Sequence, residues 1–429
     1  MTAEIAILNK TAVALAADSA VTIQTPGGHK IYNTVNKLFT LSKYRPVGVM
    51  VYGNSEFMGI PWESIIKEHR RELGDRSHGT LREYVDGFIS WLHQAKLLFP
   101  RSLQNQVLEA TAQAYFNQIR SEIETSVAEV LAQAGSINDP QVAQITENNV
   151  RRHHEFWTAK ERLNSVPDGY EQQLLERHSA ALARIREGVF EKLSMPETIA
   201  KMLTDIVPLV FSRNHFQPND SGIVMAGFGE QEVFPSVMSF TVETLVDDCL
   251  KWRERPDESA HIDQLNNASI VPFAQREMVD TFLSGIDPNY KGLLLSAVGQ
   301  LLQRYSNEIF KGIPDAALPK KKDLVAALQA GIPGLVQGLD GSLRDYGQKR
   351  HIAPIMNAVG ALPKDELAAM AESLVNLTSF KRRISMDAET VGGEIDVAVI
   401  SKGDGFIWIK RNHYFDAGKN PHFMVNYYR

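Results

Sequence analysis

Thr2 follows Met1 directly, and removal of one methionine would expose a threonine amine. A hydroxyl and a free α-amine on one residue form a self-contained nucleophile and base, because the amine titrates near neutrality and can take the hydroxyl proton. Small second residues are common because they permit methionine removal, so Thr2 gains meaning only from the residues that accompany it. The expectation is that a methionine aminopeptidase exposes Thr2 in a cytoplasmic host, without self-cleavage.

The accompanying residues are charged or stand where the backbone must turn. Asp18 ends the apolar run Thr11-Ala-Val-Ala-Leu-Ala-Ala-Asp18, Lys37 stands in Asn36-Lys37-Leu38-Phe39, and Gly53 closes Val47-Gly-Val-Met-Val-Tyr52-Gly53. A lysine ammonium near a terminal amine disfavours a second positive charge and keeps the amine neutral enough to act as base, while an aspartate holds the lysine in place. Proton transfer then needs only hydrogen-bond reach, directly or through one water. Near the other end, Asp387-Ala-Glu-Thr390-Val-Gly392-Gly393 precedes the apolar run 395–400.

In this order the residues resemble the proteasome β-subunit family of N-terminal nucleophile (Ntn) hydrolases, nearest its bacterial Anbu-like branch. The resemblance implies Thr2 as nucleophile, Asp18 and Lys37 as the charged pair beside it, and an oxyanion donor from the backbone of Tyr52 or Gly53. It implies that Asp387 and Thr390 buttress the terminal amine, with Thr390 standing for the family's serine. No metal or organic cofactor is required, and the substrate is a peptide or another amide. The chain departs from the pattern at the family's Gly-Ser-Gly type turn, where it has Phe273-Ala274-Gln275; an alternative alignment at Gly227-Phe228-Gly229 lacks the serine too. That departure keeps a rival reading open, a catalytically inactive proteasome-like scaffold whose helical insertions mediate assembly or partner binding. A third reading is a small-molecule amidase of the same chemistry, since fold alone does not fix substrate.

The elements that must position these residues are legible as alternating textures. Residues 3–8 and 12–18 read as a strand hairpin turning at Asn9-Lys10, residues 36–42 and 47–53 as two more strands, and 57–71 as an amphipathic helix. From about 81 to 205 apolar residues recur three and four apart, with breaks at Pro100, between Gly135 and Pro140, and at Pro167-Asp168-Gly169, which predicts several helices run back and forth. Strand texture returns at 222–229, 233–242 and 268–273. A second helical stretch follows, whose Gly331-Ile-Pro-Gly334 and Gly338-Leu-Asp-Gly341 read as helix ends and turns and carry no P-loop lysine. A helix from Pro363 to about Leu377 and a hairpin around Gly403-Asp404-Gly405 close the sequence. The expected architecture is α+β: a four-layer αββα sandwich from 1–72, 221–285 and 363–429, interrupted by a helical insertion at 73–220 and a second at 286–362.

With 429 residues, the chain is longer than one such sandwich needs. A net charge of −6 gives no general attraction to phosphate backbones, so nucleic acid is not an expected partner. The clusters Arg151-Arg152, Lys320-Lys321-Lys322 and Lys381-Arg382-Arg383 are short enough to be solvated helix faces, and His153-His154 reads as a surface doublet. The single cysteine, Cys249, suits a reducing cytoplasm. No apolar run approaches a membrane span, and Glu4 and Lys10 interrupt what would otherwise be a leader-like start. Amphipathic helices in excess of one sandwich lead to the expectation of a homo-oligomer, with the insertions also available to a protein partner.

Overall fold

The computed structural model describes all residues except 1–2, 26–27, 33–34, 192, 194, 219, 312–319, 385–391, 414, 423–424 and 426–429, with the side chains of 22–25, 28–32, 321 and 417 also left out. The chain is mixed α+β, and its sheets are antiparallel. It opens with the hairpin β1 (Ala3–Asn9) and β2 (Ala12–Asp18). Asn9 makes that turn: its side-chain oxygen accepts from the Thr11 and Ala12 amides, and its amide nitrogen donates to the carbonyls of Val359 and Leu362. A short polar side chain that satisfies the backbone locally is the usual reason asparagine occupies a turn.

A small hairpin follows, β3 (Val21–Thr25) and β4 (Gly28–Tyr32), then β5 (Leu38–Thr40) and β6 (Val47–Gly53). The short pair β7 (Glu56–Phe57) and β8 (Ile60–Pro61) leads into α1 (Trp62–Leu73), so the helix starts later than the periodicity at 57 suggests. Five helices come next: α2 (Leu81–Gln94), α3 (Arg101–Ala134), α4 (Asp139–Thr158), α5 (Tyr170–Phe190) and α6 (Glu197–Ser212). Their boundaries have local causes. Pro100 precedes the first turn of α3, Gly135 ends it with φ of 74°, and Asn138 and Gln141 form a reciprocal capping box ahead of α4.

The strands β9 (Ser221–Gly227), β10 (Ser236–Val246), β11 (Cys249–Glu254), β12 (Ala260–His261) and β13 (Ala268–Ala274) precede α7 (Glu277–Ser284), α8 (Pro288–Lys311), α9 (Lys321–Gly347), α10 (Ala353–Ala361) and α11 (Lys364–Ile384). The hairpin β14 (Ile395–Ser401) and β15 (Gly405–Lys410) comes last among the strands. The glycine-rich segments are not helix ends: Gly331, Gly334, Gly338 and Gly341 all lie inside α9 together with Pro333. Glycine costs a helix roughly 1 kcal/mol per residue but does not forbid it. Here the helix is held against α8, to which it is tied by the Lys291–Asp340 ion pair at 2.7 Å.

One sheet runs β13-β1-β2-β14-β15 and the other β11-β10-β9-β6-β5. Alternation in β1 and β2 turns Ile5, Ile7, Ala14 and Ala16 toward Leu367, Ala371 and Leu374 of α11. It turns Ala6, Leu8, Val13 and Leu15 the other way, into a core shared with Met50, Val224, Ala226 and Val237 of the second sheet. Burial on both faces is why these strands are apolar apart from Glu4, Asn9 and Asp18. On its other face the second sheet packs Val49, Ile223 and Phe240 against Ile65 of α1 and Phe88 of α2. Helices α3 to α6 enclose a further core around Phe116, Trp157, Leu174 and Leu203, which reaches the sheet at Val246 and Cys249.

Candidate active site

Asp18 is the centre of the site because it stands at the end of β2, where two backbone amides and one lysine converge. Its Oδ1 accepts from Lys37 Nζ at 2.6 Å and from the Ala3 amide at 3.1 Å. Its Oδ2 accepts from the Gly392 amide at 3.0 Å. Lys37 leads into β5 and is held there by its own carbonyl, which accepts from the Val51 amide of β6 at 2.9 Å. Both side chains of the pair are buried, at 5 % and 0 % exposure for Lys37 and Asp18. The sequence therefore places Asp18 and Lys37 in one spot although 19 residues separate them.

Thr2, Asp387 and Thr390 lie outside the described residues. Their described neighbours do converge: Ala3, the residue after Thr2, and Gly392, two beyond Thr390, both donate to Asp18.

Gly53 ends β6 in the left-handed region, with φ of 81°, and a Cβ there would come within 2.6 Å of the Asp220 carbonyl oxygen. The residue before it is locked as firmly. The Tyr52 ring lies over Gly222 of β9, where a Cβ would meet it at 2.0 Å, and stacks on Phe273 of β13 with centroids 5.8 Å apart. The Tyr52 hydroxyl donates to Glu258 at 2.5 Å, and Arg255 holds the other Glu258 oxygen at 2.8 Å. Burial and the adjacent Glu258 carboxylate raise the phenol's pKa well above its ordinary value. This brace on the Tyr52-Gly53 backbone was invisible in the sequence, where Glu258 is one acid in a polar loop.

At Phe273-Ala274-Gln275 the backbone makes the turn without serine or glycine. Ala274 has φ of 58°, a conformation uncommon for a residue with a Cβ, and it stands opposite Ala3 in the ladder. Gly227 also has positive φ, 139°, and packs its α-carbon against the Pro46 carbonyl.

Glu4 is the residue of the site that the sequence reading passed over. It is fully buried in β1, and among the described residues neither carboxyl oxygen has a hydrogen-bond partner. Burial raises its pKa well above the usual carboxylate range, with Lys37 pulling it down and Asp18 pushing it up. An acid within an apolar strand is the signal that could have found it.

A pocket of about 220 Å³ opens beside Lys37, lined by its neighbours Asn36 and Leu38 and by Glu63, Lys67, Trp408 and Arg411. A larger cavity, about 740 Å³, lies elsewhere, along Trp252 to Glu254 of β11, the following Arg255 and the loop 161–165. Size does not make it the chemical site, since several of its charged side chains are already engaged, Arg255 with Asp257, Glu254 with Arg82 and Arg162 with Glu171. The histidine doublet is not superficial. His153 is buried between α3 and α4, with Nδ1 2.8 Å from the Tyr115 hydroxyl and Nε2 2.9 Å from Glu122. Cys249 is buried, and burial pushes its thiol up to about 12.

Among the described residues, no cluster of three or more His, Cys, Asp or Glu could hold a metal ion, and no helix is long and apolar enough to cross a membrane. Compared with known proteins, the chain matches no family model and no curated protein.

Proposed function

We propose that the chain is a threonine-type Ntn amide hydrolase, a peptidase or amidase acting through Thr2 after removal of Met1. The observation that carries this reading is the convergence on Asp18 of Lys37, the Ala3 amide and the Gly392 amide. In the proposed reaction Thr2 Oγ attacks the substrate carbonyl while the Thr2 amine takes its proton. Lys37 keeps that amine neutral, Asp18 fixes Lys37, and Asp387 with Thr390 orient the amine. The tetrahedral oxyanion is stabilised by the backbone N–H of Tyr52 or Gly53, commonly the largest single contribution in such catalysis. The architecture proposed with it is a four-layer αββα sandwich, supported by the core shared between the two sheets and by α1, α2 and α11 on their other faces. The proposed setting is cytoplasmic, and no cofactor enters the reaction.

Intact mass and turnover test this together. The expected result is a protein lacking Met1 that releases fluorophore from peptide amides, and a Thr2→Ala variant that does not. A preparation that retains Met1, or a Thr2→Ala variant as active as wild type, overturns the reading.

The second reading, an inactive scaffold, is favoured by the serine-free turn at Ala274 and by exposed Tyr290, Leu293, Leu301, Tyr305 and Leu335 on α8 and α9. Under either reading we propose self-association. Light scattering at low micromolar concentration that returns only the monomer mass of 47.9 kDa would remove that part.

A further inference from the structure

Glu4 lies opposite Ala17 of β2 and Phe273 of β13. Alternation along β1 sends Ile5 and Ile7 toward α11 and Ala6 and Leu8 toward the second sheet, so Glu4 faces the space between the sheets with Ala6. The charged groups that face it are Asp18 from β2 and Lys37 from the segment ahead of β5. β13 brings Phe273, and beyond that ring stands Tyr52 of β6, whose hydroxyl is committed to Glu258.

An ionised carboxylate sealed from water with no donor on either oxygen is far more costly than the neutral acid, because the charge has lost its hydration and gained nothing directional in return. Lys37 does not compensate it, since its ammonium is drawn to Asp18 at 2.6 Å and makes no hydrogen bond to Glu4. We propose that Glu4 is a positioning residue of the Asp18–Lys37 site, present as a neutral carboxylic acid, whose deprotonation sets a second negative charge beside Lys37. While Glu4 keeps its proton, the site holds one anion and one cation, and no second anion offsets the Lys37 charge at a neighbouring base. Once the proton passes to solvent, the site carries a net negative charge that favours protonation of a nearby amine and so removes the base.

The consequence for turnover rests on the hydrolase reading, whereas the protonation state of Glu4 does not, and the experiment keeps the two apart. Glu4→Gln copies the shape of the neutral acid without its proton. A carboxyl whose proton affinity is raised by folding gives stability that is full at low pH and lost as pH rises, so wild type should weaken with pH relative to the variant. Melting both proteins from pH 5 to 9 should show the Glu4→Gln protein melting progressively higher than wild type at each step. A constant difference over that range overturns the proposal. In amide hydrolysis, wild-type turnover should fall away at alkaline pH, while Glu4→Gln should hold there the rate it shows near neutrality. Loss of activity at every pH in a normally folded Glu4→Gln protein also overturns it, by making the ionised form the working one. A growing melting difference with no hydrolysis by either protein supports the neutral Glu4 and rejects the hydrolase reading.

Discussion

Asp18 Oδ1 and Lys37 Nζ lie 2.6 Å apart with both side chains nearly sealed from water. Such a pair holds together because each charge has lost its solvent, and removing one partner strands the other. From the sequence alone, Lys37→Ala reads as sparing the fold while disabling hydrolysis. The burial changes that expectation: the substitution should cost about 3–5 kcal/mol, and Asp18→Asn a comparable amount. The double variant Asp18→Asn/Lys37→Ala should recover part of the loss, because no charge is left unpaired. Urea unfolding of the four proteins checks this, and additive losses in the double variant would contradict it.

Gly53→Ala tests the backbone at the proposed oxyanion donor. Its φ of 81° and the Asp220 carbonyl 2.6 Å from a Cβ position leave no relaxed arrangement for a side chain. The strain should cost about 1–3 kcal/mol and displace the Tyr52-Gly53 amides, lowering kcat more than it raises KM. Stability and kinetics within error of wild type would show that the turn adapts and that the amide position is not critical.

The early hairpin was legible because both faces of β1 and β2 are buried, which writes itself as apolar runs at 5–8 and 12–17 on either side of Asn9. The breaks between α2, α3, α4 and α5 were legible through Pro100, Gly135 and Gly169, whose backbone preferences act locally. The interior of α9 was not, since four glycines and Pro333 oppose a helix locally and only packing along α8 offsets them. Adjacent residues on a helix point about 100° apart, so the sequence could not say which of His153 and His154 faces α3. Asp18 and Lys37 could be matched by type and order, but the Tyr52–Glu258 bond joins residues 206 apart and leaves no local trace.

Acid should destabilise the protein through His69. Burial is the main cause that lowers its pKa from 6.5 to about 4, with Arg76 and His78 adding to it. The ring meets Phe88 and Trp91 edge-on, and among the described residues its Nδ1 has no hydrogen-bond partner. A folded-state pKa below the unfolded one means stability that is present above pH 6.5 and lost as pH falls toward 4. At about 1.4 kcal/mol per tenfold change in proton affinity, the loss amounts to roughly 3 kcal/mol. Chemical unfolding of wild type and His69→Leu across that window should show wild type losing stability relative to the variant as the pH falls. Parallel curves would remove His69 as the cause.

Lys251 should govern how the helices α3 to α6 stay docked on the second sheet. Its Nζ donates to the carbonyls of Val210 and His215, each at 2.7 Å, and lies 2.8 Å from Glu243 Oε2. Val210 is in the last turn of α6, where carbonyls lack helical partners and a cation is favourable. Glu243 sits at a register shift in β10, between Val242 and Thr244, and such an extra residue re-aims its side chain. Burial lowers the Lys251 pKa and raises that of Glu243, so each depends on the other to remain charged. Lys251→Met should therefore cost about 3–5 kcal/mol by leaving Glu243 buried and unpaired, with the damage concentrated where the lysine reaches. Hydrogen exchange should quicken first at 207–218, while the β1 and β2 amides, packed against α11 and the other sheet, keep most of their protection. Equal acceleration in β1 and β2 would mean that the helices and the sheets unfold as one unit and that Lys251 is not a local anchor.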